Sequence, residues 1–375
     1  MITPWLITIF TVVSVYYLDK WENKHIKSLF DWVPAILLAY LIPAGISALL
    51  DQDFSQAEIH TYSKNYFIQL AIVAVMSSLS ISQLKSIGWK PILLFVSGSL
   101  WIAIFPVVLV LLLGDSDLIS TVFLQLEYWK GIPPIVGSWI GGSTSQLVLK
   151  ELVACPENIF LTVLVLDNIL VNIWTILMFQ GIKKSHFLNK KLKITNLTMP
   201  DEIVSTQTKI LKPVICFLIL IASVLITNSV VESFVAKIIV LSVLGLLLSN
   251  FIKQWNFKFV LKFGGILILI VMAVLGLKLK FSLVQFEAGF FAFLVVWLLS
   301  HFIIMLVMAK VLNINTAWVP IASMANVGGI ATAPAVTAAY EKKWMPHAII
   351  LAILSMATGT FWGMLTIYLF EKLVI

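Results

Sequence analysis

The chain of 375 residues is 60% hydrophobic and 11% charged, against roughly 45–50% apolar and about 25% charged in an average soluble domain. With a mean hydropathy of +1.03 and apolar residues gathered in blocks of about 20, it is neither a soluble enzyme, a disordered chain nor a nucleic-acid binder. The formal charge of +7 rests on 25 basic residues, all of them lysine, and calls for a membrane explanation.

Blocks long enough to cross a ~30 Å hydrocarbon core run from Ile2 to Leu18, Trp32 to Leu50, Tyr66 to Leu84, Pro91 to Gly114 and Asn158 to Gln180. They resume from Lys212 to Thr227, Val235 to Asn250, Phe259 to Leu277, Phe286 to Met308 and Pro346 to Phe370. The first block has no basic residue before it and no small-residue cleavage pattern after it, and is read as a retained span. Two further stretches, Gly131 to Val153 and Asn315 to Tyr340, are interrupted by Gly, Pro, Ser, Thr and Asn and are poor material for a continuous helix. Cys155, beside a loop, and Cys216, inside a block, form neither a disulfide framework nor a metal cluster.

Short cytoplasmic loops carry an excess of Lys. The segments with Lys20, Lys24 and Lys27, with Lys85 and Lys90, and with Lys183, Lys184, Lys190, Lys191, Lys193 and Lys209 are therefore assigned inside. The loops with Asp51, Asp53 and Glu58, and with Asp115, Asp117 and Glu127, are assigned outside, as are both termini; Lys278 and Lys280 run against the scheme. The stretch 131–153 must then enter and leave on the outer side, and 315–340, between Lys310 and Lys342 with Lys343, on the inner side. Both are expected to be re-entrant. Five crossings per half, an odd number, insert the second half upside down relative to the first.

An internal repeat agrees. Pro133 is followed after seven residues by Gly141 and Gly142, and Pro320 after seven by Gly328 and Gly329, an offset of 187 positions in each case. Broken segments at matching places in two halves point to a secondary-transporter architecture. The expected organisation is a first repeat over residues 1–180, a cytoplasmic linker over 181–211 and a second repeat over 212–375, all α-helical.

Non-helical backbone at membrane depth has to be buried in protein or line a watery cavity. In the first broken stretch Gly137, Ser138, Gly141, Gly142, Ser143, Thr144 and Ser145 offer hydroxyls and free amides suited to an anionic or hydroxylated solute. Ser323, Asn326, Gly328, Gly329, Thr332 and Pro334 take the parallel part in the second. The competing reading, close helix packing through small residues, explains the glycines but not the accompanying Pro and Asn. Asp167 falls near the middle of its span, where a carboxylate costs ~2.5–3.5 kcal/mol on insertion scales. With Asn168 and Asn172 it forms an oxygen-rich candidate site for a coupling ion, Na+ or H+; an Asp tied to nearby backbone for stability is the bland alternative. At the same offset Asn168 falls on Ser355, so the acid belongs to one half only. His301 also lies deep in a span, where a hydrogen-bonded packing role is the commoner one. Lys150 and Glu151 are expected at the interface, and Trp32, Trp89 and Trp129 in the aromatic belt.

The stretches GSWIGGSTSQ from Gly137 to Gln146, LVLDN from Leu164 to Asn168 and SMANVGGIATAPA from Ser323 to Ala335 resemble the hallmark segments of the YjcL-like membrane family, domain-of-unknown-function family 819. The similarity spans nearly the whole chain. More remotely it extends to sodium/glutamate symporters and other cation-coupled carriers built from two inverted five-span repeats. The resemblance implies an elevator motion of a transport domain against a scaffold that often dimerises. It supports Gly141, Gly142, Asp167, Asn168, Asn326, Gly328, Gly329, Thr332 and Pro334 as site residues. Where the resemblance implies an Asn after the first Gly-Gly pair, this chain has Ser145 and Gln146. The lack of arginine removes the bidentate clamp usual for carboxylates.

The expected function is therefore cation-coupled transport of a small polar or anionic solute in the cell's inner membrane. Its partners are the lipid bilayer, the solute and a second copy of the chain, with no nucleic acid, no cofactor beyond the coupling ion and no enzymatic reaction. A membrane-embedded hydrolase using Ser143 and His301, lacking any accompanying Gly-x-Ser-Gly signature, and a passive channel are the alternatives.

Overall fold

The computed structural model describes residues 2–23, 35–79, 87–114, 116–197, 210–252, 254–279, 287–338, 340–341 and 344–375. All regular structure among them is helical. The first half contains α1 (Thr3–Lys20), α2 (Ala35–Leu49), α3 (Ile59–Tyr62), α4 (Ile68–Met76), α5 (Trp89–Leu113), α6 (Ile132–Leu152) and α7 (Glu157–Lys183), followed by the short α8 (Ser185–Leu192). The second half contains α9 (Pro213–Val230), α10 (Phe234–Phe251), α11 (Phe257–Gly276), α12 (Ala288–Val311), α13 (Trp318–Val327), α14 (Gly329–Ala338) and α15 (Met345–Leu373). A π-helical turn, Ser63–Phe67, joins α3 to α4.

The helices start where the sequence allows it. Pro lies in the first turn of α1, α6, α9 and α15, where the missing N–H has no intrahelical partner to lose. Asn256 caps α11, its Oδ1 accepting the Phe259 N–H at 3.0 Å. Six helices, α5, α7, α9, α11, α12 and α15, are long and apolar enough to cross a membrane, and α2 and α10 carry shorter apolar stretches. By length and composition the chain is a multi-pass membrane protein. Span boundaries follow the apolar blocks to within a few residues, except that the block from Tyr66 is helical only to Met76 before a turn. The start of the span at Trp32, the end of the block at Leu84, linker residues 198–209 and Lys24, Lys27, Lys85, Asp115, Lys280, Lys342 and Lys343 lie outside the described residues.

Two compact units emerge. The first comprises α1 to α4, the opening of α7 through Ile169, and α9 to α11. Its helices approach closely at glycine. A Cβ on Gly245 would lie 2.7 Å from that of Met76, one on Gly264 3.0 Å from Val75 Cγ2, and one on Gly276 would overlap the Tyr40 carbonyl. Such contacts bring backbones together where lipid offers no hydrophobic drive to association. The Tyr40 hydroxyl donates to Glu157 Oε2 at 3.0 Å, and the Ser249 hydroxyl to the Leu79 carbonyl at 2.7 Å.

The second unit comprises α5, α6, α7 from Leu170, α8 and α12 to α15. Its interior is aromatic, with Trp139, Trp297, Trp318 and Trp344 all at most 2% exposed. Trp139 meets Trp297 at 4.6 Å between ring centroids, and Trp318 stacks on Trp344 at 5.0 Å. Both broken stretches belong to this unit.

Candidate functional site at two broken hairpins

Each broken stretch consists of two half-helices that turn at the second glycine of its Gly-Gly pair. Gly142 has φ 68° and ψ −166°, inside what would otherwise be the single helix α6. Gly329 has φ 65° and separates α13 from α14. The φ/ψ pair of Gly142 lies in a region that is essentially glycine-only, so the break follows from the residue type. The two turns stand 187 positions apart, the offset of the repeat.

Both stretches double back. A Cβ on Gly137 would sit 2.8 Å from the Gln146 amide nitrogen and 2.6 Å from Leu149 Cδ1, whereas nine residues of continuous helix would separate them by about 13 Å. In the second stretch Asn315 Nδ2 donates to the Tyr340 hydroxyl at 3.3 Å, although the 25 intervening steps would span over ~35 Å as one helix. The two segments are hairpins whose tips carry the glycines.

The tips are tied together by buried polar groups. Asn326, 1% exposed, stands two residues before the second Gly-Gly pair. Its Oδ1 accepts from the Ser99 hydroxyl of α5 at 2.9 Å, and its Nδ2 reaches the Phe95 carbonyl at 3.4 Å. The Ser355 hydroxyl of α15 lies 3.3 Å from the same Asn326 oxygen and also donates to the carbonyl of Ile140, just before the first Gly-Gly pair. One serine thus touches the backbone of the first tip and the side chain of the second. One turn further along α15, Gly359 meets Gly141 backbone to backbone, and Thr360 donates to Ser145 Oγ at 3.0 Å.

Around these contacts several buried polar atoms have no hydrogen-bond partner among the described residues: Thr144 Oγ1 and Gln146 Nε2 in the first hairpin, and Thr332 Oγ1 in the second. An unsatisfied buried group costs about 1–3 kcal/mol, and native proteins keep few of them outside functional sites. The second half-helix of each hairpin begins at its tip, so free amides and the positive dipole end face the same region. Together these groups can hold a small polar or anionic solute, or a dehydrated cation where carbonyls are freed.

Other candidates are distributed as follows. Gly142, Ser143, Gly328, Gly329 and Thr332 are half-buried at the tips, with Thr332 Oγ1 packed against Gly328, while Pro334 is buried within α14. Asp167, 8% exposed, lies on the stretch of α7 that belongs to the first unit, with half-buried Asn168 beside it; Asn172 follows one turn later, also half-buried. In the part of α7 that belongs to the second unit, the Trp174 indole donates to Ser323 Oγ at 3.0 Å. His301, fully buried, places Nε2 3.2 Å from that same Ser323 oxygen. The described hydrogen bonds of His301 reach Ser323 and the Gly98 backbone, and none of them reaches Ser143. Lys150 is only 5% exposed and pairs with Glu151 at 3.2 Å. Among the described residues no three His, Cys, Asp or Glu side chains are grouped to hold a metal ion.

Sequence reading gave no site role to Ser99, Ser355 or Thr360. The available signal was small polar residues inside apolar helices, SGS at Ser97 to Ser99 and SMATGT at Ser355 to Thr360, which read equally well as packing positions.

The chain belongs to the family described as protein of unknown function DUF819, whose model matches residues 6–373. No curated protein and no solved structure matches it.

Proposed function

We propose that this member of DUF819 is a secondary transporter of a small polar or anionic solute, with its solute site at the two hairpin tips. The observation that carries this reading is the pair of positive-φ glycines, Gly142 and Gly329, at equivalent places in the two halves, in tips joined through Ser355. Irregular backbone at membrane depth is tolerated only where protein buries it or a polar cavity runs beside it, and broken elements in corresponding positions are the usual mark of such a site.

Helix order supports two repeats. The series α1, α2, α3 with α4, α5, broken α6 and α7 is matched by α9, α10, α11, α12, broken α13 with α14, and α15. Counted as spans this gives ten, and the odd number per half makes the repeats inverted. Grouping of both hairpins in one unit, and of α1 to α4 with α9 to α11 in the other, suits an elevator in which the hairpin unit carries the solute.

Asp167 is the proposed coupling-ion ligand, with Asn168 and Asn172. Those two asparagines stand at the repeat offset from Ser355 and Gly359, the residues of α15 that lie on the first tip. A buried carboxylate among amides binds Na+ through oxygen or carries a proton itself.

The test is solute uptake and counterflow in proteoliposomes, after a thermal-shift screen with and without Na+ has identified a binding solute. Expected is saturable counterflow, with accumulation driven by a Na+ or pH gradient and lost in Asp167→Asn while counterflow persists. Accumulation indifferent to both gradients, or unchanged in Asp167→Asn, overturns the coupling. Flux without counterflow would make the protein a channel.

A further inference from the structure

The linker helix α8 carries chemistry that the transport reading does not use. It begins one residue after α7 ends at Lys183, so it sits where a membrane-crossing candidate leaves the hydrocarbon. One face is anchored within its unit. Asn189, 7% exposed, accepts from the Thr316 N–H and the Thr316 hydroxyl, each at 2.8 Å, and donates to Asn315 Oδ1 at 2.9 Å. The Thr316 hydroxyl also reaches the Ser185 carbonyl at 2.9 Å. Beyond the helix, Asn313 Oδ1 takes the Thr195 N–H at 2.9 Å. The helix is thereby fixed to the segment from which the second hairpin starts, and Asn315 in turn reaches Tyr340 at the hairpin's end.

The opposite face is basic, with an aromatic ring at its centre. Phe187, Lys190 and Lys191 recur at helical spacing on α8, Lys183 stands just before it at the end of α7, and all four are exposed, Phe187 by 63%. Lys184, His186 and Lys193 flank them, also exposed. The segment from Gly181 to Leu197 holds five lysines and no acidic residue, so no charge within it neutralises this face. Lysine is a compact, strongly hydrated point charge that meets phosphate without a fixed fork, and an aromatic ring among lysines beside a span end matches the headgroup layer, apolar below and anionic above.

We propose that this face of α8 is a docking surface for anionic lipid headgroups, with Lys183, Lys190 and Lys191 against lipid phosphates and Phe187 inserted at the headgroup boundary. Because the other face holds the base of the second hairpin, lipid bound here stiffens that base. The charge pattern favours lipid over an acidic protein: the basic face is one helix long, adjoins a span end and has an apolar ring at its centre, where a protein partner would meet a bilayer.

The experiment uses the full chain in a zwitterionic detergent with added phosphatidylglycerol or phosphatidylcholine, read by native mass spectrometry and by hydrogen exchange. Phosphatidylglycerol is expected to bind in preference, to lose that preference as salt is raised, and to slow exchange at Asn313 to Val319. The triple variant Lys183→Gln, Lys190→Gln, Lys191→Gln should lower phosphatidylglycerol affinity on the order of 100-fold, with phosphatidylcholine binding and thermal stability unchanged. Phe187→Ser should weaken both lipids together. Equal binding of the two lipids by the native chain, or an undiminished preference in the triple variant, overturns the proposal. So does equal protection by free inorganic phosphate or an acidic peptide. The solute and the coupling ion play no part in this readout, so its failure leaves the transport reading standing.

Discussion

At the two tip glycines the backbone, and not the surroundings, forbids a side chain. Gly142 and Gly329 have φ of 68° and 65°, and nothing lies within 4 Å of a Cβ built on either. Replacement by alanine therefore incurs only the conformational cost, about 1–3 kcal/mol for a residue held in such a region. Gly359 is the reverse case: its φ is ordinary, but a Cβ would fall on the backbone of Gly141. No rotamer change can relieve that, and overpacking of this kind costs about 1–3 kcal/mol or more. Gly265, in the middle of α11, has neither problem, so alanine there should stabilise by about 0.5–1 kcal/mol. Gly142→Ala, Gly329→Ala and Gly359→Ala should lower the melting temperature of the detergent-solubilised protein, while Gly265→Ala should raise it. A uniform response across the four would mean that the tips are not held in the geometry described. Only Gly359→Ala is expected to perturb α15, because only there does the added methyl press on another helix.

The hairpins are elements whose ends matter as much as their tips, and Asn189 makes three of the hydrogen bonds at the base of the second. Asn189→Ala would leave the buried Thr316 N–H without its partner, a loss of about 1–3 kcal/mol, while Asn315 Oδ1 keeps the Ala317 N–H at 3.0 Å. Faster hydrogen exchange is expected from Asn313 to Val319, with exchange in Ile132 to Leu152 unchanged; acceleration spread evenly over both hairpins would contradict a local role. Little of this clamp was legible in the sequence, where Asn189 is one polar residue inside a lysine-rich stretch that reads as a solvated tether. The tips were legible for a physical reason. Paired glycines are costly in a helix and free to take positive φ, and their recurrence at one offset marked the two tips, although Gly264 and Gly265 inside α11 show that such a pair does not break a helix alone. Ser99, Ser355 and Thr360 escaped because a hydroxyl inside an apolar helix can be satisfied by its own preceding turn, as Ser242 is by the Ile238 carbonyl at 2.7 Å. Only tertiary contacts distinguish the two uses. The depth of Asp167 could be counted along its span, but its surroundings could not.

For the whole molecule, the surplus of lysine and the parity of the spans make one linked statement about the membrane. If each half crosses five times, equivalent loops of the two halves must open on opposite sides; if each crosses an even number of times, they open on the same side. The loop between α2 and α3 and the loop between α10 and α11 are equivalents, and they present exposed Gln52 and Gln254. The first loop carries Asp51 and Asp53, whereas the second has Lys253 and is followed by Lys258 and Lys262, so the positive-inside rule assigns them outside and inside respectively. The two native cysteines, Cys155 and Cys216, are buried, which keeps background labelling low in an otherwise unaltered chain. Gln52→Cys should react with a membrane-impermeant maleimide in whole cells, and Gln254→Cys only after the cytoplasmic face is exposed in inverted vesicles. Asn196→Cys, in the exposed-lysine segment between the halves, should follow Gln254→Cys. Labelling of Gln52→Cys and Gln254→Cys from one side would make the repeats parallel. The two hairpins would then open toward the same face, and a site alternating between the two sides would lose its structural basis.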